Sequence, residues 1–244
     1  MKIERWLIGL SLLAMLISAC TSGPTIPTPS VSATNIPTPA ATAPPRIAAG
    51  FETDFTRHSV PYDEVTDVIP KDRIPAIDAP TFVTTEAANA WLSPEEPVLI
   101  IQIGDETHIY PIQILIWHEI INDTVGGVPV AATYCPLCNT AIAFERTVAG
   151  QMLDFGTTGR LRYSNLIMYD RPTESWWQQA TGEAIAGEFT GRQLTFVPAP
   201  MVSWADAQTA YPEGDVLSRD TGHTRDYGQN PYPGYDDPDS TPFL

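Results

Sequence analysis

Residues 21–45 hold seven prolines, many Thr, Ser and Ala residues, and no charged side chain. A stretch of that kind cannot bury enough apolar surface to offset the entropy of ordering it. Folding is therefore confined to the chain beyond residue 45. Composition turns globular at about Phe51 and stays so to Tyr235, with five of the six tryptophans and frequent glycine turns, a length that suits one domain. Residues 20–50 read as a tether, extended at about 3 Å per residue where the prolines impose polyproline geometry. Residues 236–244 read as a loose tail.

Ahead of the tether, Lys2 and Arg5 precede an apolar run from Trp6 to Ile17 that ends in Ile17-Ser18-Ala19-Cys20. Charged, apolar and small-residue regions in that order make a secretory signal. The apolar run falls short of the roughly 20 residues that a spanning helix needs. Its last four residues resemble a bacterial lipobox, so residues 1–19 are expected to be removed and Cys20 to carry lipid. Two or more acyl chains hold a protein on a membrane where one binds only reversibly. The expected location is the outer face of the cytoplasmic membrane or another extracytoplasmic membrane surface, with the lipid anchor as the membrane contact.

Loss of Lys2, Glu4 and Arg5 with the signal takes the formal charge from −16 to −17. A surface this acidic repels phosphate backbones, which excludes nucleic acid as a partner, and its ordinary service is solubility.

Strand patterning is strongest from Val98 to Ile103 and from Thr107 to Tyr110, two β-branched runs joined as a hairpin by Gly104-Asp105. Pro111 opens a short helix over 112–118, while Glu119 to Asn122 fits helix or strand. Val128 to Tyr134 is a buried strand after the turn residues Gly126-Gly127. Pairing it with Ile120–Asn122 brings His118 near Thr133 and so near Cys135. Thr140 to Val148 alternates and turns at Ala149-Gly150-Gln151 into Met152–Gly156. Further strands are expected at 166–169, 176–178, 183–186 and 193–197, and one helix over 203–210, capped by Ser203 with Asp206 three residues on. The fold class is β-rich α+β, with antiparallel hairpins forming one mixed or barrel-like sheet and a few short helices.

With Cys20 lipidated, Cys135 and Cys138 form the single Cys-x-x-Cys of the chain. Outside the cytoplasm such a pair is a disulfide, a pair of metal ligands or a redox couple kept reduced by a partner. The stretch Trp117-His118-Glu119-Ile120-Ile121-Asn122-Asp123, followed by Thr133-Tyr134-Cys135-Pro136-Leu137-Cys138, carries a family resemblance. Together with Gly126-Gly127-Val128-Pro129, Met168-Tyr169-Asp170-Arg171, Thr181-Gly182-Glu183 and Ser218-Arg219-Asp220-Thr221-Gly222, it resembles the bacterial domain of unknown function 3179 family, here as an exported lipoprotein member. The resemblance covers about Arg73 to Tyr235 and implies no reaction. One departure is Asn139, where the family pattern has Gly after the second cysteine; Asn tolerates positive φ better than most residues.

A thioredoxin-like site would set the first cysteine at a helix N-terminus, whose partial charge lowers the thiol pKa. Here strand pattern follows the pair, which favours a turn between strands presenting two sulfurs. Soft thiolates with an imidazole suit copper or zinc. His118 is the first candidate for third ligand and His223 a weaker one; their plain alternatives are a core histidine bonded to a carbonyl and a solvated loop histidine. Glu119 is adjacent in sequence and is a candidate polar contact, as are Asp170, Arg171, Arg219, Asp220 and Arg225, whose plainer role is to tie turns together.

The expected function is an envelope lipoprotein whose Cys135/Cys138 turn, with His118, binds a soft transition metal or cycles between dithiol and disulfide, metal binding being the leading reading of the two, served by a redox or metal-delivery partner. The alternative is a non-catalytic ligand or protein interaction domain with a structural disulfide. Whether the domain is an enzyme stays open at this level.

Overall fold

The computed structural model describes residues 43–232 together with residues 234, 237 and 239. The signal at 1–19, Cys20 with most of the tether, and most of the 236–244 tail lie outside the described residues. In chain order the first strands are β1 (Val65–Asp67), β2 (Phe82–Val83), β3 (Pro97–Ile103), β4 (Glu106–Pro111), β5 (Ile120–Val125), β6 (Val128–Cys135), β7 (Thr140–Glu145) and β8 (Thr147–Val148). After these come β9 (Gln151–Met152), β10 (Phe155–Arg162), β11 (Asn165–Asp170), β12 (Trp176–Gln178), β13 (Glu183–Ala186), β14 (Phe196–Val197), β15 (Met201–Ser203) and β16 (Asp215–Leu217). The short helices are α1 (Pro45–Ala48), α2 (Thr85–Ala88), α3 (Ile112–His118) and α4 (Trp204–Ala210). None among the described residues is long and apolar enough to cross a membrane.

These strands build separate sheets, ordered β1-β10-β11-β12-β13, β14-β7-β6-β5 and β15-β3-β4-β16-β2, with β8-β9 as a small extra hairpin. Among the described strands the pairings are antiparallel except β4 with β16, and an isolated parallel bridge joins Ile77 to Ile121. The fold is β-rich α+β, as expected, but the single mixed or barrel-like sheet is not what forms. The reason lies in the middle sheet. Val130, Ala132 and Ile121 pack with Leu99, Tyr110 and Leu115 on one side, while Ala131, Ile120 and Phe144 pack with Phe155, Met168 and Trp177 on the other. Alternate residues that are apolar on both faces require cover on both faces. The hairpins therefore stack as layers instead of closing on themselves. Two further clusters finish the outer faces, one joining α4 through Trp204 to Val98 and Ile109, the other joining Ile47, Phe55 and Trp176.

The local expectations fare better. The β3–β4 hairpin turns on Gly104-Asp105 and the β5–β6 hairpin on Gly126-Gly127, both at positive φ. A Cβ on Gly126 would lie 2.4 Å from the Ile103 carbonyl oxygen, so the position admits glycine alone. Helix α4 starts as expected: the Asp206 amide donates to Ser203 Oγ at 3.2 Å and Ser203 Oγ donates back to the Asp206 carboxylate at 2.7 Å. Helix α3 begins at Ile112, because Pro111 is spent as the last residue of β4. Most of the Thr140–Val148 alternation pairs with β6, and only its end hairpins with β9. Of the run 193–197, only Phe196–Val197 is strand. Ordered structure also reaches into the tether stretch, where α1 buries Ile47 and the Arg160 guanidinium donates to the carbonyls of Arg46 and Ala49 at 3.2 and 3.0 Å.

Candidate functional site

The β6–β7 ladder pairs Cys135 with Thr140, so the Cys-Pro-Leu-Cys run must reverse the chain within four residues. It does so as one 3-10 turn, Pro136–Cys138, closed by Asn139 in the left-handed region at φ 45°, ψ 46°. Asn is the residue besides glycine that best accepts this backbone. Its side-chain oxygen receives the Tyr134 hydroxyl at 2.9 Å, which fixes the turn from the inside. The pair thus sits on a turn between strands, not at the start of a helix.

Period-two alternation in β6 sends Ala131, Thr133 and Cys135 to the face that meets β11 and β12. Cys135 is consequently 1% exposed while Cys138, at the lip of the turn, is exposed. Cys135 Sγ lies 3.7 Å from the Ser164 carbonyl oxygen and within hydrogen-bonding reach of Cys138 Sγ. Asn165 Nδ2 donates to Cys138 Sγ at 3.3 Å. That amide is held on every side, donating to Gln179 Oε1 at 2.8 Å and accepting from Gln178 Nε2 and the Ala180 amide. Gln179 in turn donates to Thr133 Oγ1 and the Thr140 carbonyl, both at 3.1 Å.

These contacts split the two thiols. The Cys135 S–H hydrogen bond, helped by Thr140 and Asn165, draws the Cys138 thiol well below the ordinary range against the opposing effect of burial. The same hydrogen bond, then burial and the neighbouring charge, pushes Cys135 far up. Asn165 is a site residue that sequence reading missed. It follows Tyr163-Ser164, a two-residue hairpin loop with both residues at positive φ. Such loops announce themselves by Asn, Asp or Gly, and this one carries none.

The third group at the thiols is Glu119, not His118. Helix α3 keeps His118 as its last residue, and the chain then reverses on Glu119 itself at φ 59°. The Glu119 carbonyl is already in the β ladder, accepting from the Tyr134 amide at 2.8 Å. Glu119 is 7% exposed, and its carboxyl receives the Tyr232 hydroxyl at 3.3 Å and lies within electrostatic reach of both sulfurs. Burial pushes this carboxyl up to about 8, with the Cys138 charge adding and the Tyr232 hydrogen bond opposing.

His118 has no exposed surface, and its ring nitrogens face Pro75 O and Tyr227 Oη, each at 2.7 Å. Burial lowers its pKa to about 4. The C-terminal segment does fold back, setting the His223 ring 5.2 Å from that of His118, but on the side of Tyr227. Among the described residues no group of three or more His, Cys, Asp or Glu side chains is gathered as a metal cage.

The Glu119 carboxyl gives a stability prediction. Unfolded, it titrates near 4.5; folded, near 8. Between these values the folded chain holds the extra proton, so stability is full below about pH 4.5 and falls as pH rises to about 8. Glu119→Gln removes that slope. Urea midpoints for the two proteins should converge at pH 4 and separate at pH 8, the variant being the more stable; parallel curves would refute the buried acid.

A family model described as "Protein of unknown function (DUF3179)" matches residues 71–244. The chain belongs to the DUF3179 family. No curated protein and no solved structure matches it. In this DUF3179 chain the other polar candidates are scattered. Asp170 is fully buried, accepting from Thr173 and from Trp177 Nε1 at 2.8 Å. Arg171 pairs with Asp78 at 2.7 Å, and Arg219 binds Gln113 while lying 4.7 Å over the Trp91 ring. The Asp220 carbonyl accepts from Thr81, and Arg225 donates to the Thr224 carbonyl. Of the six, Glu119 alone stands at the thiols.

Proposed function

We propose that the Cys135/Cys138 turn of this DUF3179 domain is a thiol/disulfide exchange couple, carried outside the cytoplasmic membrane on a lipidated Cys20 and its tether. The observation that carries this reading is the division of labour between the sulfurs. Cys138 is exposed, receives the Asn165 amide and has its thiol drawn below the ordinary range, towards the thiolate that attacks, while Cys135 is buried behind it with its thiol pushed up.

The cycle balances with Glu119, which lies within electrostatic reach of both sulfurs, as its proton carrier. Cys138 thiolate attacks one sulfur of a partner disulfide, forming a mixed disulfide as the partner's S–S bond breaks. The departing partner thiolate takes the Glu119 proton. The Glu119 carboxylate then removes the Cys135 proton, and Cys135 thiolate attacks Cys138 Sγ, releasing the second partner thiolate to be protonated from solvent. The pair ends as a disulfide and the partner as two thiols; run backwards, the couple oxidises a dithiol.

Copper or zinc remains the competing occupant. Two sulfurs fall short of the four ligands that a structural zinc takes, so the metal that fits the pair is soft copper(I). Elemental analysis after purification without added metal, combined with the reduction potential of the pair, tests the reading. Exchange predicts metal-free protein and a potential above the roughly −300 mV that marks structural disulfides. Stoichiometric copper, or a potential below that mark, would overturn it.

Asn165 supplies a second test. A hydrogen bond to a charged group contributes about 1.5–3 kcal/mol, and 1.36 kcal/mol corresponds to one pKa unit. Asn165→Ala should therefore move the pH midpoint for alkylation of Cys138 upwards by about 1 to 2. An unmoved midpoint would remove Asn165 from the site.

A further inference from the structure

Beside the thiol turn the surface is cut by a groove in two connected stretches. The inner stretch, about 140 Å³ and partly open, is walled mainly by aliphatic side chains, among them Leu137, Leu161 and Leu166, and also holds Glu119 and Arg160. The outer stretch, about 630 Å³ and open to solvent, runs over Ile116 and Trp117 to Arg73 and Arg225. Ile74 and Tyr232 line both, so the two are continuous. Leu137 stands between the two cysteines in the turn, and the groove therefore reaches the place where Cys138 is exposed.

The cations of the outer stretch are out of keeping with the chain around them. With 29 acidic side chains against 13 basic ones, an arginine here has carboxylates to spare as partners. Lys71, Arg146, Arg160, Arg162 and Arg171 each take one. Among the described residues Arg73 and Arg225 form no ion pair, and Arg225 donates to the carbonyl of its neighbour Thr224 at 2.9 Å. Asp226 lines the same stretch and pairs with neither. Two guanidinium groups held in one groove without carboxylates offer forked donors to carboxylates from outside. Trp117 and Tyr232 add aromatic walls, and Trp, Tyr and Arg are the residue types that carry most of the binding energy at interfaces.

We propose that this groove docks the exchange partner's polypeptide, an extended acidic segment whose carboxylates reach Arg73 and Arg225 while an apolar side chain next to its half-cystine enters the inner stretch beside Leu137. The outer stretch has room for several side chains, more than a lone ion fills. The inner lining is aliphatic for the most part and seats an apolar side chain in either charge state of Glu119. The net charge of −16 by itself would draw a basic partner, so a preference for acid has to come from the groove. The proposal rests on the exchange reading for its significance, but the binding it describes needs no reaction at sulfur.

The probe is a dye-labelled, amidated peptide with three glutamates, a leucine and a serine in the place of the half-cystine. It is titrated by fluorescence polarisation into the full chain carrying Cys135→Ser and Cys138→Ser, beside versions with glutamine or lysine for the glutamates. The glutamate peptide should bind saturably and more weakly as salt rises, the glutamine peptide should bind about tenfold more weakly, and the lysine peptide should not bind. Serine in place of the peptide's leucine should cost about tenfold. Arg73→Gln and Arg225→Gln should each lower affinity about fivefold. Arg192→Gln, the same loss of charge at an exposed position outside the groove, should leave it unchanged. The Arg73→Glu/Arg225→Glu double variant should reverse the order and prefer lysine, a gain that a misfolded chain cannot show.

Equal affinity for the three peptides, a wild-type preference for lysine, binding indifferent to the leucine, or an equal loss in Arg192→Gln would each overturn the proposal. Binding that appears only when Asp236, Asp237 and Asp239 are all changed to asparagine would give the groove to the chain's own acidic tail. Self-association abolished by the arginine variants would give it to a second copy of the chain. Either result overturns the partner segment. Disulfide capture by Cys138 is read separately by intact mass, so loss of the chemistry with peptide binding intact, or the converse, tells the two proposals apart.

Discussion

Cys135→Ser should convert the domain into a trap that holds a disulfide partner as a stable mixed disulfide through Cys138, whereas Cys138→Ser should leave capture at the uncatalysed background. The expectation rests on which sulfur faces solvent. Cys138 is exposed, and Asn165 still donates to it when Cys135 is changed. Cys135 is 1% exposed and belongs to the buried apolar cluster that holds Ala131, Phe144 and Leu166, so it stays out of reach without Cys138. Without the resolving thiol, the mixed disulfide has no internal path to break down. Incubation with an aromatic disulfide, then intact mass, reads both variants directly. Equal capture by the two would mean that either sulfur can attack, and the asymmetric mechanism would fall. Capture by neither would remove exchange chemistry altogether.

Asn122→Ala should destabilise the domain by about 3–5 kcal/mol, since each buried polar group left without its partner costs about 1–3 kcal/mol. Asn122 begins a sequon-like triplet, yet it is 1% exposed. Its amide reproduces a peptide group between two sheets: Nδ2 donates to the Phe155 carbonyl at 2.8 Å and to Asp78 Oδ1 at 2.7 Å, and Oδ1 accepts from the Phe155 amide at 2.9 Å. Alanine would strand both Phe155 groups where β5 meets β10. Against a total stability of about 5–15 kcal/mol for a typical domain, such a loss brings unfolding close to ambient conditions. The urea midpoint is the measurement, and a cost below about 1 kcal/mol would show that water replaces the amide at this junction.

Hairpins were readable where the chain writes its turns in glycine, as at Gly104-Asp105 and Gly126-Gly127. They were not where other residues take the same backbone, as at Tyr163-Ser164, and there the reading lost Asn165 with the turn. The site was offset for the same reason. Pairing β5 with β6 brings the end of α3 level with Cys135, which is correct to within one residue. The left-handed backbone of Glu119 then decides which neighbour turns inward, and nothing in its side chain signals that conformation. The partition into layers was hidden differently: Val130-Ala131-Ala132 shows that both faces are covered, but which distant strands provide the cover depends on contacts far apart in sequence.

The turn bearing the two sulfurs is pinned at both ends, by the Cys135–Thr140 pair and by the left-handed Asn139. Oxidation of the pair, as proposed above, would therefore ask little of the sheets behind it. A partner that must tell the reduced domain from the oxidised one has almost no change of outline to recognise. On the exchange proposed above, what would distinguish the two states is the charge on Cys138, present at the lip of the turn in the reduced pair and withdrawn into a bond in the oxidised one. Information about redox state would then leave this molecule as electrostatics, and salt concentration would set how far it carries.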